Sequence, residues 1–200
     1  MSKNLIAFFS LFILLYSLPS TAQPVIGFGL KAGGNLATIT GSDVGDVSFL
    51  PGGYAGGIAR FSWSNDRGIV SFVIQPELFY SMQGAKYEGS LKNNISYLNF
   101  ATVIQRHIGS SGFYFETGPQ VGFLLSAKLK SDGGSSDIKD VVKPIDFSLL
   151  AGAGYKFLNG IGIHARYALG ITSIDKDGSD VHNAVISAGL FYVFGGRGED

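Results

Sequence analysis

The side chains that could do chemistry are few and scattered. His107, His164 and His182 stand far apart, at no spacing that a metal site uses, and no cysteine is present to supply a thiolate or a disulfide. The run Asp175-Lys176-Asp177-Gly178-Ser179-Asp180 begins like a calcium loop. Its twelfth position, where a bidentate glutamate belongs, is Ile186, so the run reads as a polar hairpin loop. Asp132-Gly133-Gly134-Ser135-Ser136-Asp137 reads the same way. No helix follows the paired glycines Gly152 and Gly154, which removes a dinucleotide site and leaves close strand packing as their use. No Ser-His-acid set is evident for hydrolysing a lipid ester. These residues predict neither an enzyme nor a cofactor, and His164 reads as an interior hydrogen-bonding group.

Charge narrows the partners. The formal net charge is +0, with 15% charged residues against 46% hydrophobic ones, and no polybasic segment marks a nucleic-acid or anionic-lipid partner. Mean hydropathy is +0.25, high for a soluble protein.

The N-terminus bears on compartment. Met1 and Lys3 lead into an apolar run from Leu5 to Leu18, followed by Pro19-Ser20-Thr21-Ala22 with small residues at Ser20 and Ala22. That pattern predicts an export signal over residues 1–22, too short for the roughly 20 apolar residues of a spanning helix. Residues 23–200 then form one domain with no run of about 18 apolar residues. An exported hydrophobic chain without spanning helices is either a membrane barrel or a soluble barrel with an apolar lumen.

Periodicity separates the two, because a strand sends alternate side chains to opposite faces. Between Gly160 and Ile171, Ile161, Ile163, Ala165, Tyr167 and Leu169 oppose Gly162, His164, Arg166, Ala168 and Gly170. The same alternation runs through 144–157, 112–127 and 70–83, and more weakly through 25–38, 53–64, 95–107 and 183–195. The spacing therefore predicts an all-β, closed, antiparallel up-and-down transmembrane barrel of about eight strands. Short joins at 65–68, 109–112 and 158–160 alternate with longer polar loops near 39–52, 84–94, 128–143 and 175–182, which places the short joins at the periplasmic rim. Aromatic girdles should then lie near Phe28, Phe61, Trp63, Phe72, Phe113, Phe115, Tyr155, Phe157, Tyr192 and Phe194, with Tyr80, Phe123 and Phe147 at the outer rim. Pro76 and Pro119 lack a ladder donor, which predicts bulges or loosened pairing there.

With the apolar face toward lipid, Lys31, Arg60, Glu77, Glu116, Asp146, Lys156, His164 and Arg166 fall in the lumen. Eight strands leave only enough room for side chains, so the lumen should be plugged. Charges in that space must pair, and Glu77 and Glu116 are expected to pair with Arg60 and Arg166.

The segments Gly29-Leu30-Lys31-Ala32-Gly33-Gly34-Asn35-Leu36, Gln75-Pro76-Glu77-Leu78-Phe79-Tyr80-Ser81 and Gly118-Pro119-Gln120-Val121-Gly122-Phe123-Leu124 stand in this order with Gly152-Ala153-Gly154-Tyr155 and Arg166-Tyr167-Ala168-Leu169-Gly170-Ile171. Together they resemble the outer-membrane β-barrel domain family of Bacteroidetes that includes the PorT-like proteins, over nearly all of residues 23–200. The chain departs from that family at Asn99 and Ala101, where acid and proline are usual. The last strand, with Gly189, Tyr192 and Phe194, looks like the terminal signal read by barrel-assembly machinery, except that six residues follow Phe194.

The resemblance implies the bacterial outer membrane, with outer-membrane lipid and the assembly machinery as partners. The first reading of function is a non-enzymatic barrel anchoring external loops for adhesion, envelope integrity or complex assembly with other envelope proteins. A PorT-like component of protein secretion, an outer-membrane lipid hydrolase or acyltransferase, and a soluble lipocalin-type carrier are the alternatives.

Overall fold

The computed structural model describes residues 24–42, 44, 47–65, 67, 69–87, 91–131, 133–176 and 179–194. The expected leader, residues 1–22, and the tail beyond Phe194 lie outside these residues. The strands are β1 (Val25–Thr40), β2 (Val47–Ser64), β3 (Val70–Tyr87), β4 (Lys92–His107), β5 (Phe113–Ser131), β6 (Gly134–Asp137), β7 (Ile145–Lys156), β8 (Ile161–Gly170) and β9 (His182–Phe194). Every neighbour pairs antiparallel, and the order β1-β2-β3-β4-β5-β7-β8-β9 returns to β1, closing a ring of eight strands. The short β6 folds back on the outer end of β5, and its four residues are exposed.

Closure follows from the two-residue period. A strand with one greasy and one polar face has no stable place for its edge groups in a bilayer, and a ring leaves no edge. Phe28, Leu30, Leu78, Phe115, Leu149 and Leu190 all point outward and are more than half exposed. Their strand neighbours Lys31, Glu77, Glu116, Leu150 and Phe191 are buried. A soluble lipocalin-type carrier needs the inverse arrangement, with its apolar face inside, so that reading does not fit.

Ring pairs Phe113–Phe115, Tyr155–Phe157, Tyr192–Phe194 and Trp63–Phe72 sit 5.2, 4.8, 5.3 and 5.7 Å apart around the short-turn rim. That rim is closed by compact joins. Asn65 Oδ1 accepts from the backbone N–H of Arg67 and Ile69, and Gly109, Gly112 and Gly160 take positive φ.

The outer ends differ from expectation. Strand continues through 47–52, 84–87, 92–94 and 128–131, which the sequence assigned to loops. At about 3.3 Å per residue an 18-residue strand spans roughly 60 Å, about twice the hydrocarbon thickness even before tilt is subtracted. Strands β2 and β3 therefore project beyond the membrane, where the alternation of apolar side chains lapses while pairing resumes beyond a register shift, from Phe49↔Ala85 to Val47↔Tyr87.

Pro76 and Pro119 loosen the ladder without bulging it. Pairing lapses between Ile58↔Glu77 and Phe61↔Ile74, and between Ala101↔Gln120 and Ile104↔Thr117, yet the register on either side is unchanged. The register shifts fall elsewhere, at Phe49/Tyr54, Trp63/Ser64 and Ser96/Tyr97.

Candidate functional site

The lumen is filled in layers. Ile58, Tyr114, Phe191 and Val193 pack at the short-turn end, and Tyr54, Phe79, Ala101, Val103 and Leu150 pack at mid-height. Tyr97, Leu124, Val142 and Ile174 pack beneath the outer mouth. Among these apolar groups sits a compact ionic cluster. Arg166 on β8 donates through Nη1 and Nη2 to the two oxygens of Glu77 on β3, at 2.6 and 2.7 Å. It also donates through Nε and Nη2 to Glu116 on β5. Lys31 on β1 donates to Glu77 Oε2 at 2.6 Å, its ammonium 4.1 Å from the centre of the Phe79 ring and 5.0 Å from that of Tyr54.

Two cations thus meet two carboxylates, which keeps the group neutral and offsets a desolvation that an unpaired charge could not survive. The planar guanidinium fork suits this bridging because it can serve two carboxylates at once. Beside it, the Tyr54 hydroxyl and His164 Nε2 lie 2.6 Å apart, while His164 Nδ1 stands 3.8 Å from Glu116, beyond hydrogen-bond length.

Arg60 does not join either glutamate, contrary to the expected pairing. It donates to Gln75 Oε1 and Gln105 Oε1, and its Nη2 lies 2.9 Å from His107 Nε2. The reason is height. Ile58, not Arg60, is the β2 partner of Glu77, so Arg60 lies one inward step nearer the short-turn rim. Gln75 and Gln105 bridge the gap, each donating through Nε2 to one glutamate.

The remaining expected lumen residues lie at other levels. Asp146 sits toward the outer end, accepting from Asn183 at 2.9 Å and from Thr172 at 3.3 Å. Lys156 is half-buried at the periplasmic mouth, lining a recess of about 610 Å³ with Arg60, Arg67 and His107. Of the eight, Lys31, Glu77, Glu116, His164 and Arg166 converge.

Tyr54, Gln75 and Gln105 were missed as members of the cluster. Each falls on the inward phase of its strand, and that phase was the available signal. The space left beside Lys31 and Arg166 is about 30 Å³, on the order of one water volume. Among the described residues no group of histidine and acidic side chains could hold a metal ion.

In the terminal strand, Gly189 lies under the Tyr54 hydroxyl and against the backbone of Ala32 and Gly33, leaving no room for a Cβ. Tyr192 and Phe194 point outward at the rim, where Tyr192 pairs with Leu30 and Ile161.

The outer mouth is roofed by connecting segments. Val142 and Asp175 form a bridge, the Lys143 N–H donates to Ile174 O at 2.7 Å, and Ile174 and Val142 are buried. Here the structure does gather a serine, an acid and a histidine. Asp180 accepts from the backbone N–H and hydroxyl of Ser42, both at 3.0 Å, and lies 2.8 Å from His182 Nε2. The carboxylate stands in the middle, so it separates the hydroxyl from the imidazole instead of orienting the imidazole toward it. This order does not activate a serine. The Ser42 backbone N–H, then His182 and the Ser42 hydroxyl, hold the exposed Asp180 carboxyl below the usual carboxylate range.

A closed eight-strand ring, greasy outside and ionic inside, defines a bacterial outer-membrane β-barrel. Residues 21–176 match the family described as "Outer membrane protein beta-barrel domain", and the chain belongs to it. Its location is the bacterial outer membrane. No curated protein sequence matches.

Among solved structures the chain is similar to Neisserial surface protein A, at 15% identity and a TM-score of 0.59, over 82% of this chain and 96% of that one. It is also similar to the Yersinia pestis attachment invasion locus protein Ail, at 18% identity and 0.47, over 84% and 98%. For OprG of Pseudomonas aeruginosa the figures are 14% and 0.46, over 86% and 98%. At these identities the likeness concerns fold.

Proposed function

We propose that this protein is a non-enzymatic outer-membrane barrel whose sealed interior serves as a rigid post for its outer segments, in adhesion, envelope integrity or complex assembly. The observation that carries this reading is the neutral cluster of Lys31, Glu77, Glu116 and Arg166, buried across the middle of the lumen. Such a cluster fixes β1, β3, β5 and β8 to one another and leaves no aqueous path. The bridged roof at Val142 and Asp175 then presents a preorganised outer surface. The motifs at Gly29–Leu36, Gln75–Ser81 and Gly118–Leu124 support the finer assignment to the PorT-like group. The carboxylate-centred order at Ser42, Asp180 and His182 speaks against lipid hydrolysis.

The test replaces residues 133–143 and 172–181 with short turns. The variant should still insert and resist heat in detergent like the parent, while cells expressing it lose surface attachment or the envelope proteins that co-purify with the parent. Unchanged attachment and co-purification would defeat the anchoring role. A steady open current from the parent barrel in planar bilayers would defeat the sealed interior.

A further inference from the structure

Four lysines from three strands are brought together by strand register. Lys86 on β3 pairs with Lys92 on β4, and Lys92 pairs with Lys130 on β5, so three ammonium-bearing side chains stand in one row across three neighbouring strands. Lys128 lies two residues from Lys130 and therefore on the same face. All four are exposed. They continue the outward phase of the barrel, since Met82, two pairs down β3, is exposed to lipid and pairs with Ser96, which pairs with Ser126.

Directly opposed side chains on paired strands sit about 5 Å apart at Cβ, and like charges in that position destabilise the pair. Among the described residues no carboxylate lies within ion-pair distance of any of the four. Asp137, the register partner of Lys128, accepts from the Lys139 backbone N–H instead. A row of this kind suits an anion with several negative oxygens.

Height selects that anion. The last lipid-facing side chains on this side are Tyr80, Met82, Phe123 and Leu125, and the lysine row stands four residues beyond Met82. That is roughly 13 Å along a tilted strand, at the level where headgroups replace acyl chains. Long lysine stems reach down from there to the interface.

We infer that Lys86, Lys92, Lys128 and Lys130 form a binding face for the phosphate groups of outer-leaflet lipid, fixing the barrel's depth and rotation against its own membrane. This goes beyond the anchoring of outer segments and does not depend on it. No basic run in the sequence marks this face, because strand register assembles it.

The test is thermal unfolding of the purified protein in dodecylmaltoside with added lipid A carrying two phosphates, with its phosphate-free form, or with heparin. Bisphosphorylated lipid should raise the midpoint by about 5–10 °C at saturation, and the gain should fade as salt is raised. The phosphate-free lipid should give almost none of it.

The variant Lys86→Gln/Lys92→Gln/Lys130→Gln should lose the gain while melting at or above the parent midpoint without lipid, because its like charges are gone. Lys143→Gln, off the row, should keep the gain. An equal gain in the triple variant, or with phosphate-free lipid, would overturn the inference. An equal or larger gain from heparin would assign the row to soluble polyanions and overturn it too. A triple variant clearly less stable than the parent without lipid would show the lysines to be compensated within the chain, with the same result.

Discussion

Arg166 grips Glu77 with two parallel hydrogen bonds, at 2.6 and 2.7 Å, across a lumen whose opposite walls β8 and β3 are not neighbours in the ring. Replacing Arg166 with Met leaves Lys31 alone to balance two buried carboxylates. The loss of unfolding free energy in detergent should be about 3–5 kcal/mol. Adding Glu116→Gln should recover part of it, because Lys31 and Glu77 then balance. Additive losses in the double variant would refute the coupling.

Gly162 faces the Phe191 ring, and a Cβ there would overlap ring atoms of that one side chain. Gly162→Ala should cost about 1–3 kcal/mol in midpoint denaturant titration. In a Phe191→Leu background the same change should cost much less. An equal cost in both backgrounds would place the strain in the backbone.

Ile174, in the connection between β8 and β9, is buried beneath the roof and backbone-bonded to Lys143 and Val181. Ile174→Ala should loosen the roof by about 2–4 kcal/mol without opening the ring. Limited proteolysis of 133–144 and 171–181 should then quicken by roughly 30-fold or more, with the heat resistance of the barrel retained. Unchanged cleavage would mean that the roof does not depend on this side chain.

Asp180 ties the first outer connection to the last through Ser42. Its carboxyl is held below the ordinary value, so the tie is fully present above the unfolded-state pKa of roughly 3.9 and is lost as the pH falls through the lower folded value. The Ser42 amide, its exchange compared with the intrinsic rate at each pH, should therefore be protected at neutral pH and lose that protection in acid. Asp180→Asn should flatten that dependence, and an unchanged profile would rule the tie out.

The ring strands and the inward phase were legible in the alternation of strands such as Ile161–Gly170, because the bilayer enforces that alternation directly. What lay outside the bilayer was not. The hairpin arm Gly134–Asp137 is polar throughout, and the outer extensions of β2 to β5 carry no periodic apolar signal to mark them as strand. Partners across the lumen were half legible. The residues entering the interior follow from phase, but their heights depend on the stagger of the closed ring, which is why Lys31 and not Arg60 reaches Glu77. The lysine row was hidden for the same reason, since register and not sequence proximity assembles it.

The strand β1 is joined along its length to β9, from Phe28↔Phe194 to Thr40↔His182. A growing chain therefore carries an open seam from the moment its first strand appears until its last has crossed the inner membrane. No early portion can satisfy its own hydrogen bonds in lipid, so export must deliver the whole polypeptide unfolded and keep it so. Ring closure is then a late event, made between the first and last strands along the whole seam from Phe28↔Phe194 to Thr40↔His182.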